Sequence, residues 1–152
     1  MTPAVPTLFT HDHYGPYARA IAAGEVPEAF PGPLLPDQYR DVHPLLPPVN
    51  WNSEMRTFQR TRGMFAIVDQ TWTARLADRL RGLRALEVMA GRGWLAKAMR
   101  QHGIHWIATD DHSMFTAPIT PVERLDAVEA VIAYRQEADV LVMSWPPLND
   151  PV

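Results

Sequence analysis

Apolar positions recur with short, regular periods from residue 52 onward, and no such period holds over residues 1–50. Met55, Phe58, Met64, Phe65, Ile67 and Val68 predict a helix capped by Asn52 or Ser53 and bent near Gly63. Trp72, Leu76 and Leu80 form one stripe along Trp72–Arg81, a second helix that stops at Gly82. Arg84–Met89 reads as a short strand that enters a glycine turn, and a helix follows from Trp94 to His102, closed by Gly103. His105–Thr109 is a second apolar strand leading to Asp110 and Asp111, and Val122–Leu125 a third that ends at Asp126. Ala127–Gln136 then predicts a helix, and Val140–Met143 a fourth strand. Strand, helix and strand joined by short connections make a right-handed parallel unit. The expected class is α/β, with a mostly parallel sheet of about four strands and flanking helices.

The first fifty residues hold ten of the fifteen prolines. Proline removes backbone donors and pushes the preceding residue toward extended geometry, so long helices and central strands are not expected there. One short helix is predicted from Tyr17 to Ala23, ended by Gly24. Phe9, Tyr14, Tyr17, Phe30, Leu34, Leu35 and Tyr39 make the segment too apolar for a solvated tail. It reads as an ordered arm, residues 1–50, that packs on the domain of residues 51–152 or on a second subunit, with a disordered extension as the alternative.

Composition narrows the chemistry. At 152 residues the chain fits one domain, and its formal charge of −3 offers no field for nucleic acid or an anionic membrane. With no cysteine there is neither disulfide nor thiolate metal site. No apolar run reaches the ~18–20 residues of a membrane span, so a cytoplasmic protein is the expectation.

Ligands of open parallel sheets bind at the carboxyl ends of the strands. Glu87 with Gly91 and Gly93, Asp110, Asp126, and Ser144-Trp145-Pro146-Pro147 all fall at such ends. Gly91 opens a helix N-terminus where backbone N–H groups meet a ligand. Asp110 lies nineteen residues beyond it, the spacing at which a carboxylate accepts ribose hydroxyls.

Leu86-Glu-Val-Met-Ala-Gly-Arg-Gly-Trp-Leu-Ala96 resembles motif I of the class I, Rossmann-like S-adenosylmethionine-dependent methyltransferases, an acid followed by Gly-x-Gly-x-Gly. Ile107–Asp110 is similar to the second motif, Leu125–Ala127 to the third and Asp139–Pro147 to the fourth, so the resemblance covers roughly residues 53–148. It implies S-adenosylmethionine as cofactor. In that reading Glu87, Met89, Ala90, Gly91 and Gly93 lie along its methionine end, Asp110 and Asp111 at the ribose, and Asp126 and Ala127 at the adenine. Ser144 and Trp145 face the methyl acceptor, and His112, just after the paired aspartates, is a candidate general base. Nucleic-acid amino-methylating enzymes place a polar residue directly before Pro-Pro and an aromatic directly after. Trp145 and Leu148 stand there instead, so a small molecule or a protein is the expected acceptor.

Two departures stand out. Met89 occupies the motif's first glycine, beside the cofactor's methionine end, where a side chain crowds the turn. The family's sheet also continues beyond the fourth strand, whereas this sequence ends five residues after Pro147. Val140–Met143 would then carry an open apolar edge, which predicts a homodimer, cover by the N-terminal arm, or a partner chain.

Other candidates are weaker. His11 and His13 stand two apart in the proline-rich arm, a poor metal spacing, and no metal is expected. Arg92 either meets a ligand carboxylate or points to solvent. Trp51, Trp72, Trp94 and Trp106 read as packing residues. A non-catalytic nucleoside-binding or interaction module is the main alternative. A nicotinamide-dependent oxidoreductase lacks support, because Ala90–Ala96 has no third glycine.

Overall fold

The computed structural model describes residues 14–32 and 51–144, with backbone alone at 51 and 52. Four strands form one all-parallel sheet: β1 (Arg84–Glu87), β2 (His105–Asp110), β3 (Glu123–Arg124) and β4 (Val140–Val142), in the order β3-β2-β1-β4. Leu86 stands opposite Ile107 on one side and Leu141 on the other. This is the expected Rossmann-like α/β arrangement. Among the described residues no helix is long and apolar enough to cross a membrane.

Successive side chains on a strand point to opposite faces, and here the two faces carry different layers. Ala85, Trp106 and Ala108 pack against α4 (Trp94–Gln101), whose Leu95, Ala96, Ala98 and Met99 are buried. The same cluster takes in α1 (Gly15–Ala22), α2 (Trp51–Thr61) and α3 (Gln70–Leu80) through Tyr17, Ile21, Met55, Phe58 and Ala77. On the opposite face Leu86, Val88 and Ala130 are the buried apolar residues among those described, under α5 (Ala127–Tyr134).

The described part of the arm belongs to the main core. Tyr14, Tyr17, Ala18 and Ile21 are buried, and Gln59 Nε2 donates to the Tyr17 hydroxyl at 2.8 Å. Lys97 Nζ bonds Gly24 O at 2.7 Å and pairs with Glu25 at 2.8 Å, tying the segment to α4.

Several bounds differ from expectation. The helix expected to run through Val68 stops at Thr61, because Gly63 takes a left-handed φ of +69°. A Cβ there would lie 2.7 Å from the Arg92 side chain, so the turn depends on a residue distant in sequence. Met64 and Val68 are buried all the same, in the connection to α3. That helix begins at Gln70, two residues early, because Asp69 caps it by accepting from Trp72 N at 3.0 Å. α1 also starts two residues early, with Pro16 in its first turn. β1 ends at Glu87 rather than Met89, since Met89 leaves the extended region. β3 keeps two of its four expected residues, hemmed in by Pro121 and by the cap at Asp126. α4 ends one residue early at Gln101, α5 two residues early at Tyr134, and β4 one residue early at Val142.

Candidate functional site

The turn after β1 places three left-handed residues within five: Met89 (φ 55°), Gly91 (φ 56°) and Gly93 (φ 81°). Their surroundings separate them. A Cβ on Gly93 would lie 2.7 Å from Thr120 and 2.8 Å from Val122, so packing alone requires glycine there. A Cβ on Gly91 would meet nothing within 4 Å, because that face of the turn borders open space. Met89 takes a conformation ordinarily left to glycine, with its backbone held on either side. Val88 N bonds Val142 O and Ala90 N bonds Thr109 O, both at 3.0 Å.

Asp110 ends β2 and joins two loops. Its Oδ2 accepts from Gly91 N and its Oδ1 from His112 N, both at 2.8 Å. Each oxygen keeps a second acceptor site. Beside it opens a cavity of about 450 Å³, within the range of small-molecule sites. Asp110, Asp111, Asp126 and Ala127 line it together with Met89 and Gly91. Asp111 accepts from Ser113 N at 2.8 Å, and the Ser113 backbone and hydroxyl hold its carboxyl below the usual range. Asp126 caps α5, accepting from Val128 N and Glu129 N at 2.8 Å, while Glu129 reaches back to the Asp126 backbone.

Phe65 and Phe115 line the same cavity, with ring centroids 5.9 Å apart. Nothing in the sequence pairs these two rings at one cavity. Phe65 looked like one more position of a helical stripe, and Phe115 lies in a loop with no period.

A second, smaller space of about 40 Å³ adjoins, and Met89, Gly91 and Phe65 border both. Glu87 and Ser144 lie on its wall. Glu87 is buried at 1 % exposure, accepting from Trp106 Nε1 at 2.8 Å and from the Ser144 hydroxyl at 3.3 Å. Burial pushes its carboxyl up to about 7, against the opposing pull of those two hydrogen bonds and of Arg100. Trp106 is therefore a donor to the site's buried acid as well as a core residue.

The structure thus brings Glu87, Met89, Ala90, Gly91, Asp110, Asp111, Asp126, Ala127 and Ser144 to two adjoining spaces. Gly93 lies beneath the turn, packed on the loop before β3. His112 has a left-handed φ of 61° and is not among the lining residues, and its Nε2 is enclosed without a hydrogen-bond partner among the described residues. Arg92 is bonded within the protein: Nε donates to Ala117 O at 2.8 Å and an Nη to Arg62 O at 3.2 Å. Trp145, His11 and His13 lie outside the described residues. Among the described residues no group of three or more histidines, aspartates and glutamates is gathered to hold a metal ion.

No protein-family model, no curated protein and no solved structure matches this chain.

Proposed function

We propose that this protein binds an adenine nucleoside cofactor at the carboxyl ends of β1 and β2. On this reading it is an S-adenosylmethionine-dependent methyltransferase or a compact relative, acting on a small molecule or a protein. One observation carries the reading: Asp110 is bonded to Gly91 N at 2.8 Å on the wall of a cavity of about 450 Å³. That bond holds a carboxylate, suited to ribose hydroxyls, beside the backbone at Gly91, where an added side chain would meet nothing within 4 Å.

The remaining groups fit the nucleoside half. Asp110 and Asp111 present acceptors to the ribose hydroxyls. Phe65 and Phe115 offer apolar faces, and Asp126 and Ala127 stand at the far end for the base. S-adenosylmethionine supplies an electrophilic sulfonium methyl, so the chain's own part is to orient the two reactants and exclude water.

The test is calorimetric titration with adenosine and with S-adenosylhomocysteine, using NAD as control. Micromolar binding of an adenine nucleoside, weakened at least about tenfold by Asp110→Asn, supports the reading, a loss typical of one charged hydrogen-bonding partner. No heat from either ligand at high protein concentration would sink it.

A second reading, a non-catalytic module that pairs with another chain, has its own observation. Val128 (69 % exposed), Ile132 (61 %) and Leu141 (55 %) leave an apolar surface across α5 and β4. β4 is the outer strand of the sheet, so a homodimer or a partner chain at residues 140–143 is part of this reading. The two readings are compatible at the level of binding and differ in whether a methyl group moves.

A further inference from the structure

We infer that Met89 sorts adenine nucleosides by their 5′ substituent, admitting a short uncharged group in preference to an amino-acid arm. The inference rests only on the nucleoside reading of the larger cavity, and of the two forms given above it favours the compact relative over transfer from S-adenosylmethionine. With the ribose on Asp110 and the base toward Asp126, the 5′ carbon is left facing Met89 and Gly91. A substituent that extends from that carbon toward Glu87 passes Met89 into the smaller space.

Three features oppose a long zwitterionic arm there. The first is room. The smaller space is about 40 Å³ and open to solvent, so a butyrate chain bearing an ammonium and a carboxylate would not fit within it whole.

The second is charge. Among the described residues no lysine or arginine lines the smaller space, and Glu87 already stands on its wall. Arg92, the cation closest in the turn, is committed to Ala117 O and Arg62 O. A carboxylate entering this space would lose water and gain no cationic partner.

The third is rigidity. The backbone on either side of Met89 is bonded to β2 and to the residue ending β4, so its Cβ cannot withdraw from the junction although its thioether can turn. A small thioether or hydroxyl at the 5′ carbon, by contrast, ends where Met89 begins and offers sulfur or methylene to an apolar neighbour.

The experiment uses the full chain, with 5′-deoxy-5′-methylthioadenosine, adenosine and S-adenosylhomocysteine as probes in calorimetry. Wild type, Met89→Gly and Met89→Ala are compared. Glycine suits the left-handed backbone, whereas alanine keeps a Cβ and removes only the thioether, so the two separate bulk from backbone strain. Wild type is expected to bind methylthioadenosine at least about tenfold more tightly than S-adenosylhomocysteine, a margin in the range set by misfitting a methylene or more. Both variants should tighten S-adenosylhomocysteine and leave methylthioadenosine little changed. Equal or tighter binding of S-adenosylhomocysteine by wild type overturns the inference, as does a preference unmoved by either variant. In those cases bound adenosine keeps the nucleoside reading intact. If no probe binds any variant, the nucleoside reading fails and the inference falls with it.

Discussion

The two faces of the sheet differ in how much of their own cover the chain supplies. On the α4 face, Met99 and Ala98 are wholly enclosed, and behind them α1, α2 and α3 add Ile21, Met55 and Ala77 to one continuous core. On the α5 face, Leu86, Val88 and Ala130 are buried beneath a single helix whose outward side is still apolar, with Val128, Val131 and Ile132 exposed. A helix apolar on both sides ordinarily lies within a larger packing arrangement. The first face is therefore a self-contained core. Among the described residues, the second is a surface that buries little on folding and leaves Val128 and Ile132 exposed.

The largest expected effect breaks this comparison directly. Met99→Ala should destabilise the fold by about 2–5 kcal/mol, the cost of deleting a fully buried side chain, whereas Ile132→Ala should stay within roughly 0.5 kcal/mol in dilute solution. Urea unfolding monitored by circular dichroism measures both. An Ile132→Ala cost approaching that of Met99→Ala, with a midpoint that rises with protein concentration, would show that a second chain covers the α5 face.

The contrast between the faces was only partly legible in the sequence. The strands and α4 were readable because Leu86, Trp106 and Val140 sit in short apolar runs punctuated by Gly82, Gly91 and Gly103. Their order carries the carboxyl-end rule, which singles out Glu87, Asp110 and Asp126 from sequence alone. The end of α2 was not readable, since Met64, Phe65 and Val68 fit a helical period and the residue that fills the space beside Gly63 is Arg92. The cap at Asp69 was missed because Gln70 and Thr71 extend the polar stretch without marking a boundary. The Glu87–Trp106 bond was equally hidden, as it depends on the register of β1 against β2.

The second prediction concerns the acid on the α4 face. Glu87 is pushed up to about 7 by burial, from an ordinary 4.5, so the folded protein holds this proton more firmly than the unfolded chain does. The stability linked to it is fully present below about pH 4.5, declines as the pH rises through 7 and is constant beyond. The total is on the order of 3 kcal/mol. Glu87→Gln should flatten this dependence, since an amide retains an acceptor for Trp106 Nε1 and a donor for the Ser144 hydroxyl. Urea midpoints measured between pH 4.5 and 8 would speak against the assignment if the slope survived in the variant.

The smallest effect belongs to the thin face. Asp126→Ala should cost about 1 kcal/mol through loss of the cap on α5, and Asp126→Asn should recover most of it. If Asp126 also meets the base of a ligand, the asparagine variant will fold normally yet bind adenosine differently. Thermal unfolding and calorimetry on the same samples separate the two roles, and an asparagine variant indistinguishable from wild type in both would confine Asp126 to capping.

Gly91 and Gly93 look alike in the sequence, and their different neighbours make them different historical witnesses. Under the nucleoside reading, a descendant chain that gave up its ligand would still have to keep Gly93, because Thr120 and Val122 occupy the space a side chain needs. Gly91 faces no such neighbour, so a small residue tolerant of left-handed backbone, such as asparagine, is free to replace it once nothing binds there. Across any set of relatives, variation at position 91 with constancy at 93 would date the loss of binding without disturbing the record of the fold.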